Sequence, residues 1–381
     1  MMKDEKPPAR ARVPIWYKNS ESLKSTVSDL RLKFEGRCRE LGLSPFGLQS
    51  EIWADLIARA VHESNWQEGI ELDEPRTREI VFEVFQLDAI QHTPAIDISA
   101  ILGRQRRVIN EMRRHARSVE EIATFNLACA HTCIKAIIED VQYREIAHLQ
   151  LGLEAVRDAM RKSLNQEGED AEQKIKLEEI ETLLTESEAK AYSIGYESTT
   201  KSDSGAEYLS KLRNIGLAGI KVLPVEYVHF LHSVSMMSVL HYSRVGRFRN
   251  KPVHVGREDV LFPPYKSVPA LMDEFCKDLG RVIANSSTRD MISLAAKMSY
   301  RFVAIHPYSD GNGRVSRLIM NLVLGKAGYP PIYLKADNRG RHMYSMALRR
   351  ANRGDLQGLQ SLIAKSLISV YERVLGSLGR H

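Results

Sequence analysis

The chain has 381 residues and a formal net charge of +6 at neutral pH, with 27% charged and 7% aromatic residues. That length can bury one large core or two moderate ones, and the ordinary charge and aromatic fractions exclude a wholly disordered chain. No apolar run approaches the roughly 18 residues of a membrane span, so no membrane partner is expected.

In chain order, residues 1–14 are rich in Lys, Arg and Pro and read as a disordered basic tail. Residues 15–140 read as an N-terminal helical domain. Ile52, Leu56, Ile57 and Val61 recur at helical spacing, and the run ends in Ser64-Asn65-Trp66-Gln67-Glu68-Gly69. Cys129, His131 and Cys133 sit close together, but on a helix the histidine points away from the cysteine pair. Buried packing therefore competes with a metal reading there. The four cysteines form no C-x-x-C pair. With no signal peptide, this suggests a reducing, cytoplasmic setting. The densest basic stretches, Arg104 to Arg107, Arg113-Arg114 and Arg339 to Arg341, lack interleaved aromatics, so nucleic acid is not the expected partner.

Residues 141–215 read as an insertion, a charged amphipathic stretch followed by a polar Ser/Thr-rich loop. It is either a solvated decoration or a surface for a partner or a homo-oligomer. A second S-x-x-x-E-G copy occurs there, Ser163 to Gly168, with Glu167 running into further charged residues. Residues 216–381 read as the catalytic domain, closing on an amphipathic helix over 359–375.

The densest chemistry lies at 306–317, His-Pro-Tyr-Ser-Asp-Gly-Asn-Gly-Arg-Val-Ser-Arg. An apolar stretch over 294–305 predicts a buried helix delivering His306, whose imidazole titrates near neutrality. Asp310 offers the oxygen ligand that a hard cation such as Mg²⁺ prefers. Gly311, Asn312 and Gly313 can turn their N–H groups into an anion nest. Val315, Leu318, Ile319, Leu322 and Val323 then continue at helical spacing, so the nest opens onto a helix N-terminus that favours phosphate. Arg314 and Arg317, three apart, share a face and present planar forks to phosphate oxygens.

This stretch resembles the signature of the Fic family, H-x-F-x-D/E-G-N-G-R-x-x-R, with Tyr308 where Phe is usual. Gly246-Arg247-Phe248-Arg249, Pro252-Val253-His254-Val255 and Phe262-Pro263-Pro264 resemble the family's target-docking flap. Gly328-Tyr329-Pro330-Pro331 and Ala351-Asn352-Arg353-Gly354-Asp355 resemble its downstream landmarks. The resemblance implies an all-α fold with a short β-hairpin flap at Val253, His254 and Val255. It also implies an enzyme that moves AMP from ATP to a Tyr, Thr or Ser hydroxyl of a target protein, or of the chain itself. By position His306 is then the general base and Asp310 the Mg²⁺ ligand. Gly311, Asn312, Gly313, Arg314 and Arg317 hold phosphates, while Tyr344 and Asn352 lie near the adenine. A helix-core Tyr and a capping Asn are the plainer roles for those two. The Ser64–Gly69 pattern resembles the family's inhibitory helix, which implies that Glu68, with Ser64 and Gly69 in the motif, occupies the guanidinium of Arg317. Its amphipathic context favours this copy over Glu167. The same site also admits removal of AMP from a modified protein, or transfer of another phosphate-containing group.

Overall fold

The computed structural model describes residues 20–41, 45–86, 98–115, 117–135, 138, 225–253, 261–284 and 290–378. The expected tail at 1–14 and the insertion at 141–215, with Glu167, lie outside them. The described residues are helical, and no strand occurs among them beyond one isolated bridge between Met237 and Leu240. Of the expected hairpin, Val253 is described and is not in a strand, while His254 and Val255 lie outside the described residues.

Among the described residues, five α-helices lie before residue 139: α1 (Ser20–Glu40), α2 (Pro45–Gln67), α3 (Glu74–Gln86), α4 (Ile98–Arg114) and α5 (119–135). Six described α-helices lie after residue 224: α6 (Val225–Met236), α7 (Val268–Ala284), α8 (Met291–Ile305), α9 (Asn312–Lys326), α10 (Asn338–Ala351) and α11 (Gln357–Leu378). Periodic apolar faces explain their packing. On α1 the buried residues are Val27, Phe34 and Cys38, and this stripe lies along α11, where Phe34 meets Tyr371 at 5.7 Å between ring centres. α8 and α9 are flanked by α11 and α7. Ser316 Oγ donates to the Ser299 carbonyl at 2.9 Å across the α8–α9 contact. Buried residues from before residue 139 and after residue 224 join one apolar cluster.

Helix ends place the chemistry. Asp290 caps α8 by accepting from the Ser293 N–H, and Asp337 caps α10 by accepting from the Gly340 N–H. The end of α2 is a Schellman turn. Gly69, at φ 77°, donates its N–H to the Trp66 carbonyl, and Ile70 donates to the Asn65 carbonyl. Glycine takes that left-handed angle without strain. The turn halts α2 at Gln67 and leaves the Glu68 side chain projecting from the helix end.

α4 and α5 grip the C-terminal end of α6. Gln105 Nε2 donates to the Val234 carbonyl at 2.7 Å and to Asn126 Oδ1 at 2.8 Å. Asn126 Nδ2 donates to the Met237 carbonyl at 2.6 Å. Both side-chain amides are buried, and they satisfy carbonyls that a helix end leaves without partners. The expected Cys129, His131 and Cys133 group lies inside α5, fully packed. Burial pushes Cys133 up to about 12 and His131 down to about 3, as expected for inert core groups. No three His, Cys, Asp or Glu side chains converge as a metal cluster among the described residues.

Candidate active site

α8 ends at His306, which takes a left-handed conformation, φ 51° and ψ 59°. A non-glycine residue there carries strain, so the surroundings must hold it. Arg249 does much of the holding. Its N–H donates to the Pro307 carbonyl at 2.8 Å and its Nε to the His306 carbonyl at 2.8 Å. Its other nitrogens donate to the Lys251 and Pro263 carbonyls at 3.3 and 2.5 Å. One buried guanidinium thus joins the catalytic turn to the segments on either side of residues 254–260. The flap motif named Arg249, but nothing in the sequence said where its fork would go.

The imidazole of His306 lies against Phe262, 4.2 Å between ring centres. Its Nδ1 faces the Val303 carbonyl at 3.3 Å. A carbonyl only accepts, so Nδ1 carries the hydrogen and Nε2 keeps its lone pair. Burial pulls the His306 pKa down to about 4, with Arg249 adding to the effect. The ring is therefore neutral and able to take a proton at physiological pH.

The loop after His306 is pinned from within. Asn312 Oδ1 accepts from the Tyr308 N–H at 3.0 Å and Nδ2 donates to the Tyr308 carbonyl at 2.9 Å. The side-chain amide of Asn312 thus shapes the loop. Gly311, at φ 77°, precedes α9, and a Cβ on it would stand 2.7 Å from the Met236 sulfur. The Asp310 side chain is 57% exposed. Its Oδ1 accepts from the Gly311 N–H at 2.6 Å.

Two arginines line the first two turns of α9. Arg314 is 3% exposed, and its Nε and Nη1 find no hydrogen-bond partner. A buried guanidinium keeps its charge, so these two donors call for an anion. Arg317 is satisfied from α2. Its Nε donates to Ser64 Oγ at 2.7 Å, and its Nη2 donates to the Ser64 carbonyl at 3.0 Å and to Glu68 Oε1 at 2.6 Å. Burial opposes ionisation of Glu68, yet Arg317, then Arg314 and His306, hold its pKa below the ordinary carboxylate value. Oε1 also lies where a Cβ on Gly313 would stand, 2.3 Å away, so only glycine lets the carboxylate settle on the helix N-terminus.

The expected inhibitory residues Ser64 and Glu68 therefore meet the expected phosphate arginine, and Gly69 sets the turn that allows it. Further contacts clamp the end of α2, and these sequence reasoning missed. Glu63 accepts from the Ala336 N–H at 2.6 Å, and Gln67 Nε2 donates to the Leu334 and Lys335 carbonyls. Tyr344 lies beside Arg317 and Ser316, so it borders the same guanidinium that Glu68 engages. Asn352 caps α10 and accepts from the Tyr300 hydroxyl at 3.0 Å. His229 and His232, three apart on α6, were also missed. Two histidines on one face of an apolar helix were the available signal.

Comparison with known proteins agrees with this geometry. Protein adenylyltransferase fic-1 of Caenorhabditis elegans is 35% identical over 135 residues, 35% of this chain and 25% of that protein. Protein adenylyltransferase Fic of Drosophila melanogaster is 38% identical over 119 residues, 31% of this chain and 23% of that protein. The matched stretch is thus about a quarter of each relative's length. A Fic domain containing signaling protein from Bacteroides thetaiotaomicron shares the fold, with a TM-score of 0.50 at 16% identity over 95% of this chain and 98% of that one. Residues 222–324 match the Fic/DOC family, so the helical core that carries the His306 to Arg317 loop is a Fic/DOC domain.

Proposed function

We propose that the protein is an adenylyltransferase that moves AMP from ATP to a hydroxyl of a target protein and is restrained by its own Glu68. One observation carries the reading. Arg314 is buried with two unpartnered donors, beside an Arg317 already engaged by a carboxylate. This is an anion site into which the chain inserts an anion of its own. A triphosphate supplies the missing charge for both arginines.

His306 Nε2 takes the proton of the attacking hydroxyl. A bond forms between that oxygen and the α-phosphorus while the bond from the α-phosphorus to pyrophosphate breaks. The backbone of Gly311 to Gly313 and the fork of Arg314 hold the phosphates, and Arg317 receives the γ-phosphate once Glu68 withdraws. The reaction needs positioning and charge neutralisation more than covalent help, which these groups supply. Asp310 fits a Mg²⁺ shared with the nucleotide, because such a site needs only one or two carboxylates when phosphates complete it. Held there, Mg²⁺ would supply neutralisation of phosphate charge.

The second reading is removal of AMP from a modified protein. It is favoured by the closeness of Glu68 to His306, since that carboxylate could orient a water. Incubation of the wild type and of Glu68→Gly with labelled ATP, CTP, UTP and GTP, and then with a pre-AMPylated protein, separates the two. Label entering protein only when Glu68 is absent supports restrained transfer. Release of AMP only when Glu68 is present supports removal. Transfer of a nucleotide other than AMP redirects the substrate.

A further inference from the structure

His232 lies on α6, which contributes no group to the proposed chemistry and none to the Glu68 contact. Its side chain is fully buried and both ring nitrogens are engaged. Nδ1 accepts from the Gly246 N–H at 2.9 Å. A nitrogen that accepts carries no proton, so the single hydrogen of the neutral ring is on Nε2, which donates to the Asp310 carbonyl at 3.1 Å. Because Nδ1 accepts from an N–H, the ring is neutral in this arrangement. The ring face stacks on Tyr308 at 3.8 Å and 14°. One turn earlier, His229 Nδ1 meets the Tyr308 hydroxyl at 3.0 Å.

The two hydrogen-bond partners of His232 belong to opposite halves of the site. Gly246 begins the segment leading to Arg249 and Val253, on the side where a target would approach. It rests so closely on α6 that a Cβ would stand 2.2 Å from Ser233 Oγ. Asp310 lies in the loop that faces nucleotide. A trans peptide points its C=O and the following N–H in opposite directions. With the Asp310 carbonyl drawn to His232, the Gly311 N–H must turn the other way, where it meets Asp310 Oδ1 at 2.6 Å. The imidazole thus sets a peptide plane, and that plane sets the carboxylate.

We propose that His232 is a positioning residue, a neutral strut of one tautomer that registers the target-facing segment at Gly246 and the nucleotide-facing loop at Asp310 against a single helix. The proposal rests on the transferase reading and deepens it. It accounts for how the attacking hydroxyl and the α-phosphorus share one frame although separate stretches of chain hold them.

The two halves can be uncoupled by substitution. His232→Asn leaves an oxygen near the Nδ1 position to accept from Gly246 and cannot reach Asp310. His232→Gln extends a donor toward Asp310 and gives up the Gly246 contact. Both are made in the Glu68→Gly background, with magnesium ATP as ligand and a His306→Ala copy of the chain as protein acceptor. His232→Asn is expected to weaken magnesium ATP binding by calorimetry about tenfold or more, with the KM for the acceptor within about twofold. His232→Gln is expected to raise the acceptor KM by a similar factor and leave nucleotide binding near that of the parent. A merely structural histidine would lower the melting temperature and scale kcat alike in both variants, with no split between the two constants. Unchanged constants in both, or parallel changes in both, overturn the proposal. Should Glu68→Gly alone transfer no AMP, the transferase reading fails. The calorimetric comparison still decides the strut, because equal nucleotide affinity in parent and His232→Asn refutes it. Should His232→Gln not fold, that same comparison of parent with His232→Asn decides the proposal.

Discussion

Removing the Glu68 carboxylate should raise transfer by about one to two orders of magnitude. The Arg317–Glu68 contact is 2.6 Å, with the two side chains 8% and 26% exposed, so it is a charge-assisted bond only partly screened by water. Bonds of that kind contribute about 1.5–3 kcal/mol net, and a tenfold change in an equilibrium corresponds to about 1.4 kcal/mol. A triphosphate that must displace Glu68 is therefore productively bound about 10 to 150 times less often than one that need not. The negative C-terminal end of α2 disfavours the carboxylate and the N-terminus of α9 favours it, each by about 0.3–1 kcal/mol, so the two dipoles offset and the estimate stands. Arg317 keeps both Ser64 contacts after the change, so the guanidinium stays in place to receive the γ-phosphate. Glu68→Gln, with the charge gone and the amide still able to accept, should fall between. The assay is incorporation of labelled AMP into the chain, with wild type, Glu167→Gly and His306→Ala alongside. Equal rates for Glu68→Gly and wild type would refute the competition. Activation by Glu167→Gly alone would move the inhibitory role to the insertion.

His306→Ala in the activated background should lose about 10²–10⁴-fold in transfer while retaining ATP affinity by calorimetry, because the imidazole meets the hydroxyl and not the phosphates. The pH profile of kcat/KM reports the free enzyme, so with the His306 pKa depressed to about 4 the rate should be flat across the neutral range. It should fall only as acid protonates the ring near that value, and an acid limb at the ordinary histidine value of about 6.5 would contradict the buried environment. Glu68 raises the His306 pKa, so Glu68→Gly moves the limb lower still. Arg249→Met should lower stability by about 2–4 kcal/mol, seen as a reduced denaturation midpoint, because several carbonyls around the catalytic turn lose their donor at once. A midpoint within error of wild type would show that Arg249 does not hold the turn.

Much of the site was legible in the sequence because its parts are local. The order of residues from His306 to Arg317 specifies a helix end, a glycine turn and a helix start, and all three depend on neighbours within a few positions. The end of α2 was legible for the same reason, since a glycine after a periodic apolar run closes a helix. The all-α class followed from the family resemblance together with helical spacing, and the described residues bear it out.

Only tertiary packing decided the rest. Glu68 and Arg317 are 249 positions apart, and two stretches of the chain carry the same six-residue pattern. Which carboxylate reaches the guanidinium depends on which helix face docks against α9, and no local rule encodes that. The Asn312 amide turned onto the Tyr308 backbone, a contact that sequence reasoning did not foresee. A polar side chain takes the nearest buried unpaired group, and that neighbour exists only once the loop is closed. His232 was silent for the same reason. Its meaning lies in partners 14 and 78 positions away, which come together only when α6 is buried beneath both halves of the site.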